Sequence, residues 1–150
     1  MAAAVAQSTE DLGKLVVRVT VGSLILFHAF AFLTGDTGMP NALMAWGLPP
    51  YLAWLGFLAE FAGGAAMVLG VYARLGGFAV GTFMIMALIM RHVGLMGAQN
   101  HLFMVAGVTP QSHWDHYFLE TQFFYLLGSY AVALLGAGRY GLNIGDKWNN

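Results

Sequence analysis

A chain of 150 residues with 59% hydrophobic and only 9% charged side chains is not built for water, because soluble domains carry roughly 25% charged residues. Its formal net charge of −1 and lack of any Lys/Arg run leave no surface for neutralising phosphates, which excludes nucleic acid as a partner. The absence of Cys excludes disulfides, thiolate metal sites and iron–sulfur clusters, so any redox chemistry must use a borrowed cofactor.

Residues Met1 to Asp11 are polar, acidic at Glu10 and Asp11, and lack the basic start and small-residue cleavage site of a signal peptide, so the first helix is expected to be retained. That helix is expected over 12–34, interrupted by Lys14, Arg18 and His28, and it stops at the turn-forming run Gly35 to Pro40. A mixed connection ends in Leu48-Pro49-Pro50, and the double proline suits the opening turn of a second helix over 51–72. Glu60 is the sole charge in that helix, and Gly63-Gly64-Ala65-Ala66 gives it a face on which a neighbour can approach closely.

Arg74 marks a short turn into a third helix over 75–96, which makes helices two and three antiparallel neighbours. Residues 97–116 read as a long irregular outer loop holding His101, His113, Trp114, Asp115 and His116, and loops of this length are often functional. A fourth helix is expected over 117–135, followed by Gly136-Ala137-Gly138-Arg139 and a polar tail. A span needs about 20 apolar residues, so the chain is expected to be a single all-α domain, a four-transmembrane-helix antiparallel bundle. Counting Lys and Arg near the span ends puts Lys14, Arg18, Arg74, Arg139 and Lys147 on one side and Arg91 on the other, so both termini are expected to be cytoplasmic.

Ionisable groups at membrane depth cost several kcal/mol unless paired or hydrated, so each requires an explanation. Glu60 lies near the middle of helix two, where a carboxyl must be protonated, paired or solvated. It can exchange protons with a bound redox-active lipid such as a quinol, or it can be paired with Arg18 as structural glue. His28 and His92 both lie toward the outer ends of their helices. Two such imidazoles can hydrogen-bond a quinone carbonyl, bond to neighbouring protein groups or ligate a haem iron; haem ranks last, because nothing fixes their separation.

His113 and His116 stand at i and i+3, beside Asp115 and with His101 upstream, a donor set suited to zinc or copper. The competing account is that polar residues and Trp belong at a membrane–water boundary in any case. Glu120 enters helix four from this outer side and can join His92, His113 and His116 in a head-group site. The stripe Phe118, Phe123, Phe124, Tyr125 reads as packing or lipid-facing surface, and no phosphate loop, nucleophile triad or dinucleotide fingerprint occurs.

Several distributed pieces recur in an order that resembles one family. They are Asp11-Leu12-Gly13-Lys14 with Arg18, Gly22 and Phe27-His28; Gly47-Leu48-Pro49; Glu60, Leu69-Gly70 and Arg74; and Leu134-Leu135-Gly136-Ala137-Gly138-Arg139-Tyr140. Together they resemble the DoxX family of small four-helix membrane proteins, over roughly Asp11 to Asn143. The chain departs from the family at Ala29, where Gly often follows the His, and at Gly141-Leu142-Asn143, where the family often reads Ser-Leu-Asp.

The resemblance implies an inner-membrane protein tied to quinone-dependent oxidoreductases: a small subunit of a terminal quinol oxidase, the membrane part of thiosulfate:quinone oxidoreductase, or a companion of oxidative-stress enzymes. It implies Arg18, His28 and Glu60 as site residues, with His92 and Glu120 added from topology. The leading expectation is therefore a quinone-interacting subunit in the lipid bilayer, without a redox centre of its own and partnered by other subunits. A non-catalytic membrane anchor or scaffold is the first alternative, and a small transporter or metal-handling protein using His113 and His116 is the second.

Overall fold

The computed structural model describes residues 2–34, 40, 43–44, 47–96 and 112–142, and side chains within 6–34, 40, 43–44, 47–89 and 120–142. Among these residues there are four long helices and no strand: α1 (Ala2–Leu33), α2 (Ala53–Leu69), α3 (Ala73–Met96) and α4 (Ser112–Leu135). A 3₁₀ turn, Pro50–Leu52, opens α2, and Pro50 loses nothing there because the first N–H groups of a helix have no internal partner.

Several boundaries differ from the sequence expectation; α3 begins at Ala73 rather than at 75, so Arg74, expected in the turn, lies in the first turn of the helix. Helix α1 begins at Ala2 rather than at residue 12, because apolarity marks where a helix enters lipid and not where it starts. The segment before Leu12 is rich in Ala, the strongest helix former, and Lys14 pairs with Glu10 one turn back at 2.7 Å. Helix α2 stops at Leu69, short of residue 72, since Gly70 adopts φ +69° and turns the chain. Helix α4 begins at Ser112 rather than at 117, so His113 to His116, expected in a loop, belong to its first turns.

The helices form a ring in which each neighbouring pair runs antiparallel. Arg18, Gly22 and His28 of α1 meet Met67, Gly64 and Glu60 of α2, in reverse order. Gly63 of α2 faces Gly76 of α3, Gly77 of α3 faces Ser129 and Ala133 of α4, and Gly128 of α4 faces Val21 of α1. Close approach decides two of these seams. A Cβ on Gly22 would stand 2.9 Å from the Gly64 carbonyl oxygen, and one on Gly76 would stand 2.8 Å from that of Gly63. Backbone cannot yield as a side chain can, so these glycines set the distances of α2 from α1 and from α3.

The interior is a column of modest apolar side chains, with Val21, Ile25, Met67, Val80, Met84 and Val132 in mutual contact. The exterior carries the larger ones, including Phe27 on α1, Leu55 and Leu58 on α2, Phe78 and Ile89 on α3, and Leu127 and Leu134 on α4, all exposed. A soluble protein seldom leaves such continuous apolar area bare, whereas lipid is a suitable solvent for it. Two stretches are long and apolar enough to cross a bilayer alone, Ala6–Leu33 and Pro50–Leu69, and Ala73–Ile89 is a shorter apolar helix.

Candidate functional site

Two polar layers interrupt the apolar interior. The first gathers where α2 ends. Arg18 is 2% exposed, and its guanidinium donates from Nη1 to the carbonyls of Met67 (2.9 Å) and Val68 (2.6 Å) and from Nη2 to the carbonyl of Tyr140. The last carbonyls of a helix have no partner within it, so Arg18 caps α2 from the side and ties it to the segment after α4. The Leu142 N–H donates to the Leu69 carbonyl at 3.2 Å and closes the same junction. Gly70 is required here twice over: its φ is +69°, and a Cβ would fall 2.7 Å from Arg18 Nη1.

The second layer lies halfway along the Pro50–Leu69 stretch, which is about 30 Å long at 1.5 Å per residue. Glu60 is 3% exposed, and its Oε1 has no hydrogen-bond partner among protein atoms. His28 Nε2 stands 3.7 Å from that oxygen, within ion-pair range but beyond a hydrogen bond, and the His28 side chain is 44% exposed. Tyr125 of α4 completes the group: its ring lies 6.1 Å from the His28 ring. Gln122, one turn earlier on α4, carries a buried Oε1 that also has no partner.

A polar column thus reaches the surface through His28, with Glu60 behind it and Tyr125 beside it. Such a site can hydrogen-bond an oxygen on a ligand arriving from the lipid, and it can hold a proton on either the carboxyl or the imidazole.

This arrangement corrects the expected pairing of Arg18 with Glu60. The two belong to different layers: Arg18 meets Met67 and Val68, about two turns along α2 from Glu60, and the two form no ion pair. A buried guanidinium is drawn to the nearest unpaired carbonyls, and the end of α2 supplies them. Glu120 is exposed on α4. The side chains of His92, His113 and His116, and all of His101, lie outside the described residues. Among the described residues no cluster of three or more His, Asp or Glu is arranged to hold a metal.

Tyr125 was assigned to a packing stripe by sequence reading, and Gln122 and Ser129 were given no role. The signal that identifies them is the run Gln122, Tyr125, Ser129, Val132, spaced by three or four residues along one face of α4. Tyr125 and Val132 both pack on the core cluster.

Comparison with known proteins places these features in a setting. Residues 13–93, which carry both polar layers except their α4 members and the 136–142 segment, match the DoxX family. Inner membrane protein YqjF of Escherichia coli (strain K12) is 24% identical over 141 residues, covering 93% of this chain and 97% of its own length. No solved structure matches the chain significantly.

Proposed function

The chain belongs to the DoxX family of membrane proteins, and on that premise we propose that it is a four-span inner-membrane subunit of a quinone-linked oxidoreductase. Its antiparallel order and the five-to-one Lys/Arg bias support a topology with both termini in the cytoplasm. The similarity to an inner membrane protein along nearly the whole chain supports the location.

The observation that carries the reading is Glu60 Oε1, a mid-span acceptor without a protein partner, reached from the membrane side past the half-exposed His28. A quinone, when bound, supplies two-electron, two-proton exchange and is itself soluble in the bilayer. His28 Nε2 orients a head-group oxygen, Glu60 holds or accepts the accompanying proton, and Tyr125 walls the site on the α4 side. Electrons pass to or from a partner subunit.

The test is the affinity of purified protein for a quinone analogue before and after Glu60→Gln. Loss of a charged hydrogen-bonding partner should weaken binding by roughly tenfold or more, with the helical content intact. An unchanged affinity removes the reading and leaves the anchor account, which the structural engagement of Arg18 favours.

A further inference from the structure

At the end of the bundle beyond Arg18, a cavity of about 350 Å³ is lined by polar side chains: Gln7, Ser8 and Asp11 of α1, and Arg139 from the segment after α4. Its volume falls in the range of roughly 300–1,000 Å³ typical of small-molecule sites. Residues 7, 8 and 11 share one side of α1. The opposite wall is set by the turn at Gly138, φ +65°, where a Cβ would lie 3.1 Å from Lys14 Cδ and 3.3 Å from Asp11 Oδ1. The Arg139 N–H donates to Asp11 Oδ1 at 3.4 Å and ties that turn to the helix.

Two opposite charges line this space without meeting. Lys14 pairs with Glu10 at 2.7 Å and stands 4.0 Å from Asp11. Among the described residues, the Arg139 guanidinium has no carboxylate within 4.0 Å. A carboxylate and a guanidinium that face one cavity unpaired suit a ligand carrying both charges, because a simple anion would be repelled by Asp11 and a simple cation by Arg139.

The cavity also has a definite depth. The Pro50–Leu69 stretch is about 30 Å long, the thickness of the hydrocarbon layer, so Arg18, level with the end of α2, marks one edge of that layer. Asp11 lies about 10 Å further out along α1, at the level of lipid headgroups. Between the two levels Leu12, Val16 and Val19 are exposed. With Ser8 they form one line along α1, spaced by three or four residues. The polar cavity therefore continues into an apolar stripe that descends into the membrane.

We propose that the cavity holds the phosphoethanolamine headgroup of a phospholipid, with its phosphate on Arg139, its ammonium on Asp11, Gln7 and Ser8, and an acyl chain along Leu12, Val16 and Val19. A guanidinium matches phosphate oxygens with paired N–H donors. A primary ammonium carries three donors, and three acceptor side chains line its end of the cavity. A choline ammonium has no N–H and is recognised by aromatic rings, none of which lines the cavity among the described residues. A phosphoglycerol headgroup would leave Asp11 without a counter-charge. The site lies about 25 Å along α1 from His28 and is independent of the quinone reading.

The test titrates the purified full chain, in non-ionic detergent, with phosphatidylethanolamine, phosphatidylcholine and phosphatidylglycerol of one acyl composition, and counts bound lipid by native mass spectrometry. Phosphatidylethanolamine should bind about tenfold more tightly than either of the others, the worth of a charge-assisted hydrogen bond. Equal binding of the three by the wild-type chain overturns the proposal without recourse to any variant. Asp11→Asn keeps an acceptor for the Arg139 N–H and should bring the preference down to about twofold or less; a preference that survives this change also overturns it. Arg139→Gln should weaken phosphatidylethanolamine and phosphatidylglycerol alike. Soluble glycerophosphoethanolamine lacks the chains that would lie on Leu12 and Val16 and should compete at least tenfold less well than the lipid. Equal competition overturns the assignment to a bilayer lipid.

Discussion

The two polar layers of this bundle are equally buried and differently used. At the end of α2, Arg18 spends both terminal nitrogens on the carbonyls of Met67, Val68 and Tyr140, joining three segments distant in sequence. At mid-span, Glu60 is as deeply enclosed, yet its Oε1 meets no protein donor and its titratable neighbour His28 stands 3.7 Å away and half in the open. A buried charge whose terminal donors are taken up by backbone carbonyls acts as architecture. One left open, at the same desolvation cost, is held for something that comes and goes.

Removing the architectural charge should have the largest effect. Arg18→Met takes the side-chain donor from the carbonyls of Met67, Val68 and Tyr140, of which only the Met67 bond is fully buried, and thermal unfolding in detergent should show a loss of roughly 2–4 kcal/mol. Arg18→Lys should recover only part of it, since an ammonium cannot span carbonyls on two segments as a guanidinium fork does. Stability near wild type in Arg18→Met would place this residue with the functional layer instead.

The junction should also fail through Gly70. Its φ of +69° and the proximity of Arg18 Nη1 forbid a Cβ, so Gly70→Ala should cost about 1–3 kcal/mol. The same change in a background already carrying Arg18→Met should cost less, because one of the clashing groups is gone. Strict additivity in that pair would mean that the two residues do not share the junction.

At mid-span the contrast should reverse. Glu60→Gln removes a buried charge without breaking any hydrogen bond at Oε1, so stability should change by less than about 1 kcal/mol while ligand binding falls. A double-mutant cycle of Glu60→Gln with Arg18→Met should give a coupling under about 0.5 kcal/mol, as expected for sites without shared partners. A large coupling would restore the ion pair that the geometry separates.

The smallest effect belongs to the surface. Lys14 pairs with Glu10 at 2.7 Å, but the Glu10 side chain is 65% exposed, so Lys14→Ala should change stability by no more than about 0.5 kcal/mol. A larger loss would extend the Arg18 junction down to Asp11 and the backbone of Arg139, whose N–H donates to Asp11 Oδ1 at 3.4 Å.

Much of this was legible in the sequence, because lipid imposes blunt requirements. Apolar runs, proline and glycine punctuation and the rarity of charge identified all four helices, and the isolation of Glu60 in an apolar segment marked it at once. The helix ends were less legible. The polar residues Gln7 to Asp11 in α1 and the polar start of α4 are helical without being apolar, and hydropathy does not register them.

The sequence by itself determined that the chain is helical, that lipid is its solvent, and that Arg18, His28 and Glu60 are ionisable groups within apolar helices that need an explanation. Only the tertiary structure decided which of them meet. Arg18 and Glu60 are opposite charges on neighbouring helices, and sequence offers no reason to keep them apart. Packing does: the Gly22–Gly64 contact sets the register of α1 against α2, bringing Arg18 to the open carbonyls at the end of α2 and His28 to Glu60. Register is a property of two surfaces fitted together, and for that reason the partners of these buried groups could not be read from either helix alone.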